Sequence, residues 1–178
     1  MAHVISVQVS DKHSFTKYPS LFIELLEEQG VLGDAHCGST VQSRYLKRRN
    51  AAAPNLRQVH LIQQETIDNL NEQGFNVSPG EMGENMTTLG VDLLSLPLDT
   101  KIHFSHGAVI RLTGIRTPCN QLNTYRAGLK RAVSRKHDGK VQFLCGVMAV
   151  VERSGIINIG DEMDIVLPSL PHKSLPSL

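Results

Sequence analysis

The chain has 178 residues, enough for one domain with a hydrophobic core and too few for two full domains. Its 18 Lys and Arg residues nearly balance 17 Asp and Glu, which argues against a nucleic-acid partner held by bulk charge. The longest apolar stretch, 143–151, is far shorter than the ~20 residues of a membrane span, and the amino-terminal residues lack the pattern of a secretory signal. We therefore expect a cytoplasmic protein with no membrane partner.

The first half of the chain mixes predicted strands, helices and loops. Residues 2–9 alternate polar and apolar side chains, which predicts a half-buried strand. Residues 20–29 place Leu21, Leu25 and Leu26 at helical spacing before Gly30, which predicts a helix. The remaining predictions in this half are a turn at 33–38, a basic surface segment at 42–50, a strand at 58–62 and a helix at 65–73.

The second half is richer in predicted strands, at 101–104, 109–115, 145–152 and 162–167. We expect a hairpin turn at His106-Gly107, a basic helical excursion at 124–136 and a loose Pro- and Ser-rich tail at 168–178. Short strands with glycine turns and inserted helices predict a mainly β fold with a few short flanking helices. A β-barrel is the favoured architecture because closing a sheet removes its exposed edges.

Cys119 is the first candidate for chemistry. It stands in the segment GIRTPCNQL, directly after the predicted strand 109–115, and Pro118 ends that strand because proline lacks a backbone donor. Arg116 would favour a thiolate if its side chain points the same way. The alternative is a small buried thiol, since free cysteine is often buried. Cys37 and Cys145 complete an odd count that argues against a disulfide framework.

The segment GENMTTLGVDL, residues 83–93, is the second candidate. Its glycines free the backbone, while Asn85, Thr87 and Thr88 offer short polar side chains that are able to line a pocket for an anion or a pterin-like ring. The alternative is a turn-rich connection with capping side chains. The segment is not a P-loop, because GxxxxGK[ST] is missing from the sequence.

Other chemistries have weaker support. The segment GDAHCG, residues 33–38, joins a carboxylate, an imidazole and a thiol, but the sequence has no CxxC or HxxxH pair for structural zinc. There is no GxSxG nucleophile elbow. A cysteine hydrolase that pairs Cys119 with a histidine such as His36 stays open, because such partners need to be close only in space.

Taken in order, four segments resemble the MOSC domain family, the molybdenum cofactor sulfurase C-terminal domain. They are GDAHCG, GENMTTLGVDL, a strand ending in TPC, and GVMAVVERSGIINIGDE, and they span roughly residues 30–167. The chain is most similar to the stand-alone bacterial, YiiM-like form. The resemblance implies a single MOSC domain over residues 1–167 with a MOSC-type β-barrel. GDAHCG departs from the usual HxGG-like ending, which leaves the role of His36 open.

The resemblance also implies a bound molybdenum cofactor in its molybdopterin form, with Cys119 as the protein ligand to molybdenum and the catalytic residue. Thiolate suits that role because it is a soft ligand. By looser similarity, Lys17, Arg44 and Arg116 would meet the cofactor phosphate or pterin, and Asn85 and Thr87 would line the same pocket.

The activity that this resemblance implies is reduction of small N-hydroxylated compounds. Because the sequence has no haem CxxCH, ferredoxin cysteine run or GxGxxG fingerprint, we expect an external electron-donor protein. The alternative is a non-catalytic carrier that holds sulfur or the molybdenum cofactor on Cys119. A homodimer is left open.

Overall fold

The computed structural model describes residues 1–137 and 139–178, and short strands make up most of its regular structure, as predicted. The strands are β1 (His3–Val9), β2 (Tyr18–Ser20), β3 (Phe22–Leu26), β4 (Gly30–Val31), β5 (Val59–Gln63), β6 (Met86–Leu89), β7 (Lys101–Phe104), β8 (Val109–Ile115), β9 (Ser134–His137), β10 (Lys140–Phe143), β11 (Val147–Arg153), β12 (Gly155–Asn158) and β13 (Met163–Val166). The helices are α1 (Arg44–Asn50), α2 (Gln64–Glu72), α3 (Gln121–Tyr125) and α4 (Leu129–Ala132), with a short 3₁₀ turn at Leu93–Ser95.

Eight strands form the main sheet in the order β13-β7-β8-β11-β5-β6-β1-β2. Its pairs are antiparallel except β5 and β6, which are parallel and joined through α2 and the loop after it. A second sheet has the order β12-β3-β4, and β9 pairs with β10 as a separate hairpin. The predicted hairpin turn at His106-Gly107 joins β7 to β8.

Among the described residues, no sheet closes into a barrel, so the predicted barrel is corrected to an open main sheet. β13 and β2 are its edge strands. An isolated bridge between His3 and Glu162 brings β1 next to the residue that precedes β13, and the Met163 N–H donates to the Ala2 carbonyl at 3.0 Å. The two ends of the sheet therefore approach each other without forming a continuous ladder.

Two apolar clusters hold these layers together. The larger one fills the space between the two sheets, with Leu61 and Ile110 from the main sheet facing Leu25 and Ile157 from the second sheet. The smaller one packs α2, α3 and α4 against the other face of the main sheet and contains Ile62, Ile67, Leu70, Leu122, Leu129 and Cys145. β5 is thus buried on both faces, which explains its nearly continuous apolar sequence.

The predicted helix at 20–29 is wrong, because this segment forms β3 and then turns into β4. Ile23 and Leu25 are buried while Phe22 and Glu24 face solvent, a period of two rather than 3.6. Leu21, which the helix would bury, is 84% exposed. Pairing with β12 on one side and β4 on the other satisfies the backbone that a helix would have satisfied internally.

Of the two predicted basic segments, one is more divided than expected and the other agrees with the prediction. The excursion at 124–136 contains the end of α3, all of α4 and the start of β9 rather than one helix. Gly128, with φ of 84°, separates the two helices. The basic segment at 42–50 forms α1, which buries no residue and so lies on the surface as predicted.

Contrary to the prediction, the tail at 168–178 is not loose. Ser177 forms a parallel bridge with Ile115, and the Leu178 N–H donates to the Ile115 carbonyl at 2.9 Å. Leu175 is 8% exposed and belongs to the larger apolar cluster. Backbone pairing with the end of β8 therefore fixes this segment, which composition alone cannot reveal.

Gly114 makes room for the tail, and its replacement by alanine tests that contact. A Cβ at Gly114 would lie 2.6 Å from the Pro176 carbonyl oxygen, a contact with backbone that a side-chain rotation cannot relieve. We expect Gly114→Ala to lower the free energy of unfolding by about 1–3 kcal/mol and to speed proteolysis within 168–178. The measurements are chemical denaturation and limited proteolysis. Gly107→Ala is the control for proteolysis, because its Cβ would meet nothing within 4 Å and, at φ of 87°, the substitution strains only its own turn. Equal acceleration of cleavage within 168–178 by the two substitutions would contradict this role of Gly114.

Candidate functional site

A cavity of about 730 Å³ lies beside the end of β8. Its walls come from loops that follow β1, β4 and β8, from α1, and from the loops before β5 and β6. Permanent positive charge reaches it from Lys17, Arg44, Arg57 and Arg116, and three imidazoles join them, His13, His36 and His60. Among the described residues, none of those that line the cavity is acidic. This distribution of charge favours an anionic ligand.

The structure brings most of the predicted site residues together. Cys119, Lys17, Arg44, Asn85 and Arg116 all line the cavity, although they are far apart in sequence. Thr87 does not line it, contrary to the prediction. The Thr87 side chain is fully buried on β6 and its hydroxyl donates to Glu84 Oε1 at 3.1 Å, behind the cavity wall.

Cys119 lies on a loop that is fixed at both sides. The Arg116 N–H donates to the Gly146 carbonyl at 3.0 Å, and the Thr117 N–H donates to the Leu178 carbonyl at 3.1 Å. On the other side, the Leu122 N–H donates to the Cys119 carbonyl as α3 begins. The Cys119 thiol is half-buried and donates to Gln121 Oε1 at 3.6 Å. Because Cys119 also lines the cavity, its side chain is accessible from there.

The loop before β6 holds the guanidinium of Arg116. Arg116 Nη1 donates to the Met82 carbonyl, and its Cζ lies 6.0 Å from the centre of the Phe15 ring. Gly83 has φ of 83°, and a Cβ there would lie 2.6 Å from the Phe15 carbonyl oxygen. Only glycine fits at this point, so the backbone wraps closely around Arg116.

Asp34 ties four segments of this site together. Its buried carboxylate forms a salt bridge with Lys17 and accepts hydrogen bonds from the His36 N–H at 2.9 Å, from Asn85 Nδ2 at 3.0 Å and from the Ser10 N–H at 3.3 Å. Burial alone would raise the pKa of Asp34, but the charge and hydrogen bonds of its partners lower it. Asp34 therefore stays ionised and holds Lys17 in place.

Asn85 acts as a structural link rather than a free donor. Its Oδ1 accepts from the His60 N–H at 3.2 Å, while its Nδ2 donates to Asp34 and to the Gln8 carbonyl. Its side-chain hydrogen bonds are thus directed into the protein, and its contribution to the cavity is a rigid wall.

Glu84 is a fully buried carboxyl beside that wall. Its Oε1 accepts from the Gly80 N–H at 2.5 Å and from Thr87, whereas its Oε2 has no partner among the described residues. Burial raises the pKa of Glu84 although these hydrogen bonds oppose the shift. Through the hydrogen bond from Gly80, Glu84 anchors the glycine-containing loop before β6 behind the cavity wall.

The three imidazoles are held in their neutral forms. Burial is the main cause that lowers the pKa of His36 to about 4, with the charge of Lys17 next. Burial and then Arg44 and Lys47 lower the pKa of His13, whose ring packs edge-to-face on His36 at 5.2 Å. His60 is deeply buried, and burial lowers its pKa well below the usual value. Its Nε2 lies 2.6 Å from the carbonyl oxygen of Cys145, which only accepts hydrogen bonds, so this nitrogen carries the proton.

The other two cysteines lie outside the cavity lining. Burial raises the pKa of the Cys145 thiol to about 12 and also raises that of Cys37. Within the described part of the chain, no three His, Cys, Asp or Glu side chains are arranged to share a metal ion.

None of the described helices has the length and apolar content needed to cross a membrane.

Sequence reasoning missed Arg57, His13 and His60 in this site, and it left His36 without a role. Arg57 and His60 flank the start of β5, and His13 lies in a polar loop after β1. None of them belongs to a motif with fixed spacing, so only chain folding brings them to Arg116. The GDAHCG segment does contribute to the site. Its His36 lines the cavity, whereas the carboxylate of Asp34 lies behind the cavity wall, where it pairs with Lys17.

A family model described as MOSC domain matches residues 47–164, more than half of the chain. The chain belongs to the MOSC domain family. This confirms the resemblance drawn from the four sequence segments. Among curated relatives, this MOSC protein is 26% identical over 151 residues to a Bacillus subtilis (strain 168) protein named "Putative metal-sulfur cluster biosynthesis proteins YuaD", covering 76% of each.

Solved structures share the fold of this MOSC protein. The YuaD protein from Bacillus subtilis superimposes with a TM-score of 0.78 at 23% identity, covering 94% of this chain and 97% of that one. The YiiM protein from Geobacillus stearothermophilus gives 0.70 at 18% identity, covering 98% and 80%. At these identities the structural likeness concerns the fold alone.

The buried ion pair makes a clear prediction for stability. Asp34→Asn keeps the shape of the side chain but leaves the Lys17 ammonium buried without a counter-charge, so we expect a loss of about 3–5 kcal/mol in the free energy of unfolding. Adding Lys17→Met to Asp34→Asn should recover part of that loss. Urea denaturation measures each variant.

Asp99→Asn is the matched control for Asp34→Asn, because its ion pair with Arg111 is exposed to solvent. We expect it to cost less than about 1 kcal/mol. If Asp34→Asn cost no more than Asp99→Asn, the central role assigned to Asp34 would be wrong.

The pKa of His36 predicts how stability depends on pH. Because folding lowers this pKa from 6.5 to about 4, the folded state binds fewer protons than the unfolded state between these values. The contribution of His36 to stability is complete above pH 6.5 and is lost as the pH falls through 4. We expect His36→Asn to reduce this acid loss by about 2 kcal/mol, allowing for partial exposure. Denaturation curves from pH 7 to pH 4 measure it, and identical slopes for both proteins would contradict it.

Proposed function

We propose that this MOSC protein binds the molybdenum cofactor in the cavity, with Cys119 as the protein ligand, and reduces small N-hydroxylated compounds. The observation that carries the proposal is the convergence of one accessible thiol with three arginines, and with a lysine paired to Asp34, around a cavity without acidic lining among the described residues. The volume of about 730 Å³ lies within the range of pockets that hold cofactors.

The residues present fit this cofactor chemically. A pterin cofactor with a phosphate group needs cationic donors at its anionic end, which Arg116, Arg57 and Lys17 supply. Burial is the largest cause that lowers the pKa of Arg57, and the positive charge of the nearby Arg116 is the next largest. An anion between them would relieve this repulsion. Thiolate is a soft ligand that suits a metal already held by sulfur.

When bound, the cofactor supplies the redox chemistry that protein side chains lack. The overall reaction breaks an N–O bond, takes up two electrons and two protons, and releases an amine and water. The chain itself positions the thiol on the loop after β8 and fixes the cavity wall through Asp34 and Asn85. His13 and His36 line the same cavity as neutral imidazoles. An anion bound beside them would raise their pKa values and so favour the protonated forms, which are able to donate a proton to the substrate.

A carrier is the second candidate function. The relative YuaD has a name that refers to metal-sulfur cluster biosynthesis, and the half-buried Cys119 thiol is open to the cavity. In this role, Cys119 would hold a persulfide sulfur or the cofactor for transfer to another enzyme. Intact-protein mass spectrometry identifies a sulfur carrier, because a persulfide adds one sulfur atom to Cys119 without molybdenum. A cofactor carrier would contain molybdenum but would not reduce N-hydroxylated compounds.

Metal and pterin content tests the main proposal. We expect about one molybdenum per wild-type chain expressed in a cofactor-competent host, and a loss of most of it in Cys119→Ser, because the metal would lose its protein ligand. Cys37→Ser is the matched control, since Cys37 is half-buried but does not line the cavity. Loaded wild type should then reduce an amidoxime or an N-hydroxylated purine with an artificial reductant. Folded wild type without molybdenum would refute the proposal.

A further inference from the structure

Basic residues are segregated along this chain. Residues 35–64 and 100–137 contain no Asp or Glu, although the chain has 17 of them, and these two stretches hold most of its 18 Lys and Arg residues. The formal net charge of +1 therefore hides a strong local asymmetry.

The fold brings part of each stretch to the mouth of the cavity. Arg44, Tyr45 and Leu46 of α1 line the cavity on one side. On the other side, α3 begins two residues after Cys119, and Lys130 Nζ donates to Asn120 Oδ1 at 2.6 Å. The basic residues of α1 therefore lie at the cavity, and Lys130 of α4 reaches the residue next to Cys119. We call α1 together with α4 the basic rim.

The charges of α1 are free to meet a partner. Arg44, Lys47, Arg48 and Arg49 lie on seven consecutive residues, none of which is buried. Among the described residues, none of these four side chains forms a salt bridge. Tyr45 is 66% exposed beside them. A short helix that buries no side chain adds little to folding, so its sequence is not explained by the core.

The basic rim extends beyond what a small ligand in the cavity would contact. Arg48 and Arg49 do not line the cavity, and neither does Arg131 on the opposite side, yet Arg48, Arg49 and Arg131 are exposed. A charged surface around a redox centre steers a partner of opposite charge and fixes its orientation.

We infer that the basic rim is the docking surface for an acidic electron-carrier protein, of the flavin or iron–sulfur class. This inference rests on the proposed function, because the carrier would deliver the two electrons that N–O reduction consumes. Nucleic acid is the alternative macromolecule for a basic surface, but it cannot deliver the two electrons that N–O reduction consumes, so its binding is an outcome of the test.

Binding without turnover tests the docking surface independently of the cofactor. The probes are a plant-type [2Fe–2S] ferredoxin and a flavodoxin, both acidic, titrated against the full chain by calorimetry. We expect binding at about 20 mM salt that weakens about tenfold or more at about 300 mM salt. Arg48→Glu with Arg49→Glu should weaken binding about tenfold or more at low salt.

Single charge reversals provide a matched comparison. Arg48→Glu and Lys173→Glu each change the net charge by the same amount, and Lys173 is exposed but does not line the cavity. We expect a clear loss of carrier binding for the first and little change for the second. Because α1 buries no residue, the thermal midpoints of these variants should match the wild type.

Three results would overturn the inference: no binding of either carrier at low salt, equal weakening by Arg48→Glu and Lys173→Glu, or tighter binding of a DNA or RNA oligonucleotide than of both carriers. None of these results depends on molybdenum content. Conversely, a wild-type protein that lacks molybdenum but binds the carriers through α1 would refute the proposed function and leave the docking surface in place.

Discussion

The buried ion pair between Lys17 and Asp34 is the interaction on which the rest of the site depends. Both side chains are almost completely removed from water, and the same carboxylate accepts hydrogen bonds from His36 in its own loop and from Ser10 and Asn85 in two other segments. Taking two charges out of water is costly, so such a pair persists only where its geometry and hydrogen bonds are complete. Here the arrangement aligns the end of β1, the loop after β4 and the loop before β6 in one wall.

The cavity in front of that wall concentrates charge of one sign. Lys17 is neutralised by Asp34 from behind, but Arg57 and Arg116 face the cavity without a carboxylate among its described lining residues. After burial, the charge of Arg116 lowers the pKa of Arg57, and the charge of Lys17 lowers that of His36. An anion bound in the cavity would make new contacts and would also relieve this repulsion.

Two wrong predictions show where local pattern loses to tertiary pairing. Residues 20–29 carry leucines at a spacing that suits a helix, yet Ile23 and Leu25 also alternate with exposed residues, and two neighbouring strands decide in favour of β3. The tail is rich in Pro and Ser, yet Gly114 leaves space for its backbone against β8. In both cases the strand that pairs with the segment is distant in sequence, so the local sequence pattern does not indicate the pairing.

The sequence by itself determined the family, the mainly β class and the position of Cys119 directly after a strand, because each depends on local periodicity or on motifs with fixed order. Tertiary structure alone decided that the main sheet stays open, that Asp34 pairs with Lys17, and that His13, Arg57 and His60 join Arg116. It also removed Thr87 from the cavity, since the Thr87 hydroxyl donates to the buried carboxyl of Glu84 behind the cavity wall. The reason is common to all of these: charges and hydrogen-bond partners act through distance in space, which sequence spacing does not measure.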